Sequence, residues 1–137
     1  MASDAEKKHL SDFISLSSYD DKYIDREEER RILEEGIKTG VDVEEGIAIL
    51  RQATQNKGIT LERDIEEDTM DMLQTFAEDG KIDKKEFFDA VATYKRKCQN
   101  RIPEPEIIRR VKKMVQNQGW KAKEGGLFGS KWFSEIQ

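Results

Sequence analysis

Three carboxylates in a short stretch are the side chains whose types and spacing come nearest to a chemical site. Asp79, Asp83 and Glu86 lie in the sequence Asp-Gly-Lys-Ile-Asp-Lys-Lys-Glu, in which Gly80 marks a turn. Carboxylate oxygens are ligands that Ca²⁺ and Mg²⁺ accept, so these three residues are the candidate metal ligands. They also fit a structural role, because an Asp N-cap followed three residues later by a Glu forms a capping box at the start of a helix. We expect this structural role rather than metal binding.

The same stretch matches the second half of an EF-hand calcium loop, Asp-Gly-x-Ile-Asp-x-x-Glu-Phe. The first half does not match, because Thr75 and Ala77 stand where the first two carboxylate ligands belong. Calcium takes about six to eight oxygen ligands, so the loss of two charged donors predicts binding far weaker than that of a calcium sensor. An earlier copy at residues 19–28 has Lys22 at the position of the loop's glycine.

This turn, opening an amphipathic helix in an all-α chain of this length, resembles the TerB-like family of tellurite-resistance and stress-associated domains. The resemblance covers residues 20–98 and depends mainly on residues 78–87, with a weaker echo at residues 24–28. It implies a compact helical fold, contact with a divalent cation through Asp79 and Asp83, and a role beside membrane-associated or chaperone partners. The chain departs from the pattern in three lysines that crowd the turn with positive charge, which disfavours a bound cation: Lys81, Lys84 and Lys85.

Residues that would indicate catalysis are scarce. A single histidine, His9, cannot form a histidine-based metal cluster or general-base system within one chain. The single cysteine, Cys98, cannot form an internal disulfide, and we expect a buried structural thiol in a reducing compartment. The glycines near the C-terminus lack the flanking strand and helix of a phosphate-binding loop. We therefore expect no enzyme and no obligatory cofactor.

Charge is distributed unevenly along the 137 residues, whose net charge is −5. Residues 1–80 carry 10 Lys/Arg and 22 Asp/Glu, whereas residues 81–137 carry 14 Lys/Arg and 7 Asp/Glu. Such an asymmetry either steers a charged partner or lets the two halves attract one another. Basic clusters at residues 95–101 and 109–113 add nucleic acid as a less favoured partner.

The elements that position these residues are predicted to be helices. Asp-x-x-Glu capping pairs at residues 25/28, 42/45 and 83/86 mark helix starts, and three glycines that each precede an apolar residue mark helix ends. Apolar side chains recur at helical spacing, and no stretch alternates as a strand would, so the fold class is all-α, a compact array of about six antiparallel helices. The predicted helices are a first that ends near residue 16, then about 25–39, 42–57, 60–76, 83–98 and 103–118.

Residues 119–137 differ from the predicted helical domain, residues 1–118, because they are rich in glycine and aromatic side chains. Two interpretations stay open. In the first, the segment folds back and its aromatics close the core. In the second, Phe128, Trp132 and Phe133 anchor a partner. Since Trp132 and Phe133 are adjacent, we expect at least one of them to remain exposed.

The favoured function is a non-catalytic, cytoplasmic protein-interaction or scaffolding module with a stress-associated role. The alternatives are a divalent-metal-responsive domain of the EF-hand-like or TerB-like kind, and a nucleic-acid-associated protein. No apolar run has the length of a membrane span, and the N-terminus lacks the apolar core of a signal peptide. Another protein is the expected partner, with self-association as a second arrangement.

Overall fold

A computed structural model describes residues 1–124 and 131–137 of the chain. Contacts divide it into two compact units, Met1–Asp64 and Ile65–Gln137. The all-α prediction is confirmed, since the described residues form six helices and only four strands of two residues each. The domain boundary expected between residues 118 and 119 stays a prediction, because a division by contacts does not say which segments fold alone. In chain order the elements are α1 Asp4–Ser17, β1 Tyr23–Ile24, α2 Arg26–Lys38, α3 Val43–Lys57, β2 Thr60–Leu61, α4 Glu62–Phe76, β3 Lys81–Ile82, α5 Lys84–Lys97, α6 Glu104–Asn117 and β4 Lys121–Ala122.

The predicted helix starts are present, with one correction to their chemistry. Asp25, Asp42 and Asp83 are the N-caps of α2, α3 and α5, and each accepts a hydrogen bond from the backbone N–H three residues later. Of the three predicted capping boxes only the one at Asp83 is complete. The boxes predicted at Asp25/Glu28 and Asp42/Glu45 are wrong, since only the Asp half of each is formed. At Asp42 the Glu45 carboxylate instead accepts a hydrogen bond from the backbone N–H of Ala2 at 3.3 Å.

The glycine stops are confirmed as well. Gly58 and Gly119 have φ of 67° and 75°, a left-handed conformation that costs glycine little. After each glycine the chain turns back, so that Ile59 N–H donates to the Thr54 carbonyl at 2.9 Å and Trp120 N–H donates to the Val115 carbonyl at 3.3 Å. Helix α4 begins one residue later than a cap at Thr60 predicts, because Thr60 pairs in β2 instead.

The two units share one order of elements: helix, strand, helix, helix, strand. In the first unit β1 pairs with β2 in parallel, and in the second β3 pairs with β4 in parallel. Ile24 and Ile82 occupy the same place in these pairs, and both are buried. The recurring Ile-Asp-x-x-Glu sequence therefore marks a shared turn, in which a buried strand residue is followed by the N-cap of the next helix.

Each unit has its own apolar core. The first is built on buried residues of α1, α2 and α3, among them Leu10, Ile14, Ile32 and Leu50. Buried residues of the second come from α4, α5, α6 and the C-terminal segment, among them Leu73, Phe87, Tyr94, Ile107, Val111 and Trp132. Within the described ranges, no helix is both long and apolar enough to cross a membrane.

Candidate functional site

A groove lies on the second unit along α5, the connection that follows it and the first turn of α6. Its volume is about 560 Å³, and its lining includes Phe88, Val91, Lys95, Arg96, Asn100 and Glu104. The connection carries two consecutive non-glycine residues in the left-handed conformation, Gln99 with φ of 57° and Asn100 with φ of 61°. This conformation is costly for Gln99, whereas asparagine tolerates it, and strained residues cluster at functional sites.

The cations around this groove differ in their partners. Lys95 is bound to the Glu104 carboxylate, with Nζ 2.8 Å from Oε2, and Lys97 is bound to Asp68 at 2.9 Å. Arg96 lies between them in the chain, is exposed, and forms no ion pair with any residue of the described ranges. The groove therefore presents one guanidinium whose charge is not neutralised by the structure described.

The two arginines in the basic cluster of α6 share one carboxylate of the same helix. Glu106 lies 2.8 Å from the Arg109 guanidinium and 3.3 Å from that of Arg110. Hydrogen bonds from Arg109, and then from Arg110, hold the pKa of the Glu106 carboxyl below its ordinary value. A helix whose arginines are occupied in this way offers fewer charges to phosphate groups than its sequence indicates.

Phe88 connects the groove to an aromatic cluster. Its half-buried ring lines the groove and lies 5.1 Å from the ring of Phe87 and 6.2 Å from that of Trp132, between centroids. Sequence analysis did not select Phe88. The available signal is the Phe-Phe pair itself, because adjacent residues of a helix point about 100° apart and only one of them can face the core fully.

The three candidate metal ligands are held by the backbone and by one lysine. Asp83 accepts a hydrogen bond from Glu86 N–H at 2.7 Å, and the Glu86 carboxylate accepts one from Asp83 N–H at 3.0 Å. Asp79 accepts from Lys81 N–H at 3.0 Å and lies 3.5 Å from Lys123 Nζ. The Lys81 N–H, and after it the Lys123 charge, lower the pKa of Asp79. The predicted capping role is confirmed, and among the described residues no three His, Cys, Asp or Glu side chains come together as a metal site.

The C-terminal aromatics lie against α5. Trp132 is 8% exposed and Phe133 is half-buried, with ring centroids 5.3 Å and 5.8 Å from that of Phe87. The expectation that one of the two remains exposed is therefore wrong, because the chain turns at residues 132–135 and brings both rings onto Phe87. A partner-binding role for Trp132 and Phe133 stays a prediction, and Phe128 lies outside the described residues.

Backbone and side-chain hydrogen bonds hold this segment in place. The indole N–H of Trp132 donates to the Lys123 carbonyl at 3.0 Å. The Glu124 carboxylate accepts hydrogen bonds from the N–H groups of Phe133 and Ser134, both at 3.0 Å, and from the Ser134 hydroxyl at 2.8 Å. These donors, first the Ser134 N–H and then its hydroxyl, lower the pKa of Glu124.

The single cysteine and the single histidine each contact another residue of the chain. Cys98 is buried, as expected, and its thiol donates to the Lys95 carbonyl at 3.4 Å. The exposed His9 ring lies 3.3 Å from Glu35.

A buried charged network in the first unit was not predicted. Glu29, only 3% exposed, lies 2.7 Å from Arg63 Nε, and the Tyr23 hydroxyl donates to buried Glu62 at 2.7 Å. Its acidic residues, Glu29 and Glu62, lie in the first turns of α2 and α4. Both turns are rich in acidic residues, a composition that is typical of solvent-exposed helix surfaces.

Comparisons with protein-family models, with curated proteins and with solved structures found no match to this chain. The function is therefore argued from the geometry of the chain's own residues.

Proposed function

We propose that the protein is a non-catalytic protein-interaction module, and that the groove on α5 and α6 binds an acidic segment of a partner protein. One observation carries the proposal. The groove combines the half-buried aromatic ring of Phe88 with the guanidinium of Arg96, which has no internal ion-pair partner among the described residues. Arginine is among the residues that contribute most to binding energy at protein interfaces, and phenylalanine is enriched there.

The size of the groove matches a short segment rather than a folded domain. At about 560 Å³ it has room for one or two large side chains. Phe88 and Val91 offer apolar surface to such a side chain, while Arg96 lies at the same site to bind a carboxylate. The segment we expect therefore has one large apolar residue flanked by Asp or Glu.

Charge favours an acidic segment over a basic one. Residues 81–137 carry 14 Lys/Arg against 7 Asp/Glu, so the part of the chain that forms the groove has an excess of positive charge. The one acidic residue that lines the groove, Glu104, is already bound to Lys95. A complementary potential speeds association and disfavours partners of the wrong charge.

A displayed library of random peptides tests the proposal. The peptides that the protein enriches should carry acidic residues around a large apolar side chain. They should bind the Arg96→Glu variant roughly tenfold more weakly, the cost of turning one favourable charge contact into a repulsive one. Lys113→Glu is the matched control, because Lys113 is an exposed lysine of α6 that does not line the groove. Enrichment without acidic residues, or equal binding to wild type and Arg96→Glu, would contradict the proposal.

A further inference from the structure

Two lysines stand side by side on the parallel strand pair of the second unit. Lys81 of β3 and Lys121 of β4 are partners in the strand register, and both side chains are exposed. Register partners in neighbouring strands point to the same side of a sheet, so both ammonium groups share the outward side. The next register pair, Ile82 and Ala122, points to the other side, where Ile82 is fully buried.

The fold does not require this pair of charges. Like charges directly opposite one another on neighbouring strands destabilise a sheet. The corresponding pair in the first unit is Tyr23, which is buried, and Thr60, so the same order of elements forms there without two like charges. The second unit therefore has two exposed like charges at register positions where the first unit has none.

Further positive charge follows this pair closely in the chain. Lys84, the first residue of α5, is exposed, and like Lys81 and Lys121 it forms no side-chain ion pair with the residues that the structure describes. Lys123, the residue that directly follows β4, is bound to Asp79 at 3.5 Å. We define Lys81, Lys84 and Lys121 as the lysine face.

We propose that the lysine face is a second binding surface, which takes the carboxylates of an acidic segment of a partner protein. A carboxylate placed between Lys81 and Lys121 attracts both ammonium groups and offsets the repulsion between them. Both effects favour binding. The surface is independent of the groove. Lys84 and Arg96 lie twelve residues apart on α5, about 18 Å along its axis, so either proposal stands if the other fails.

A protein segment fits this surface better than nucleic acid does. Each strand is two residues long, roughly 7 Å, which is too short to follow a phosphate backbone over several nucleotides. The whole chain has a net charge of −5, which repels a long polyanion that extends beyond the lysine face. Short acidic peptides experience much less of that repulsion.

The probe is a fluorescein-labelled hexaglutamate peptide, titrated with the whole protein at low ionic strength and followed by fluorescence anisotropy. Wild type should bind, and the affinity should fall as salt screens the lysines. Lys81→Gln/Lys121→Gln should bind roughly tenfold more weakly, since two exposed charge contacts are lost. Lys113→Gln removes an exposed lysine of α6 and should bind as wild type does.

A second variant separates binding from folding. Lys121→Thr copies the residue of the first unit, Thr60, and should lose affinity for hexaglutamate while its melting temperature stays equal to or above that of wild type. Three results would overturn the proposal. They are equal binding of hexaglutamate by wild type and the double variant, a lower melting temperature for Lys121→Thr, and tighter binding of single-stranded DNA than of the peptide.

Discussion

Trp132 lies against Phe87, with ring centroids 5.3 Å apart and ring planes inclined by 57°. The contact joins the C-terminal segment to α5 near its N-terminus. Phe133 meets the same Phe87 ring edge-on at 5.8 Å, and Lys112 Nζ lies 5.1 Å from the centre of the Phe133 ring. Phe87 is fully buried, so the segment that carries Trp132 helps to close the core of the second unit.

Trp132→Ala should destabilise the protein by about 3 kcal/mol, the usual cost of removing a buried aromatic side chain from a core. Chemical denaturation followed by circular dichroism measures this change. Lys131→Ala is the control, because the neighbouring lysine is exposed and its removal should change the free energy of unfolding little. If Trp132→Ala unfolds like wild type, the ring does not contribute to the core. The interpretation in which Trp132 anchors a partner protein is then favoured.

Glu124 makes the stability of the C-terminal segment depend on pH. The N–H and hydroxyl groups of Ser134 lower the pKa of this carboxyl from its ordinary value of 4.5 in the folded state. Its stabilising effect is therefore fully present above pH 4.5 and is lost as the pH falls through the lowered value.

We expect Glu124→Gln to melt at a lower temperature than wild type at neutral pH. The difference should shrink toward zero as the pH falls below the lowered pKa of Glu124, where the native carboxyl is protonated and resembles the amide. Melting curves of both proteins across this range give the difference, which cancels the titration of the other acids. A difference that stays constant with pH would show that the charge of Glu124 contributes nothing.

Asp83→Ala should cost about 1 kcal/mol, because it removes the side chain that caps α5 and leaves a backbone N–H without its acceptor. Asp83→Asn retains an oxygen at the same place and should retain most of the stability. Urea unfolding of the three proteins makes the comparison. Equal loss in both variants would mean that charge, rather than the cap, is what matters at this position.

Calcium at millimolar concentration should leave the melting temperature unchanged, because Asp83 and Glu86 are already bound to each other's backbone N–H groups. Differential scanning fluorimetry with and without CaCl₂ tests this. A clear rise that Glu86→Ala abolishes would restore the metal-responsive alternative that the TerB-like resemblance implies.

Arg63→Ala should destabilise the first unit strongly. It leaves the carboxylate of Glu29, which is 3% exposed, without the guanidinium that donates to it at 2.7 and 3.0 Å. Removing one partner of a buried ion pair costs about 3 kcal/mol, and the Arg26 guanidinium, which stays 3.6 Å from the Glu29 carboxylate, should hold the loss below that figure. Arg30→Ala is the control, because it removes an exposed arginine of α2, the helix that carries Glu29. It should cost well under 1 kcal/mol, because exposed ion pairs contribute little to stability. Similar losses in both variants would mean that Glu29 is solvated.

Local signals in the sequence predicted the helices and their ends. Asp83 and Glu86, which cap the start of α5, are three residues apart, and Gly58 and Ile59, which end α3, are adjacent. Each of these caps therefore depends on residues that are close together in the sequence. Such interactions need no information from elsewhere in the chain. This is why the six helices and most of the caps could be predicted, while the Glu45 side chain, which binds distant Ala2, was placed wrongly.

What only the tertiary structure decided involves partners that are distant in sequence. A strand of two residues is too short to show a periodic pattern in the sequence. β1 and β3 form only because each pairs with a strand that is distant in the sequence, Tyr23 with Thr60 and Lys81 with Lys121. The lysine face is invisible until that register is known. The sequence likewise shows that Trp132 and Phe133 are large and apolar. Whether they face the solvent or the core depends on Phe87, which is distant in the sequence. The reason is that burial is a property of packing rather than of residue type.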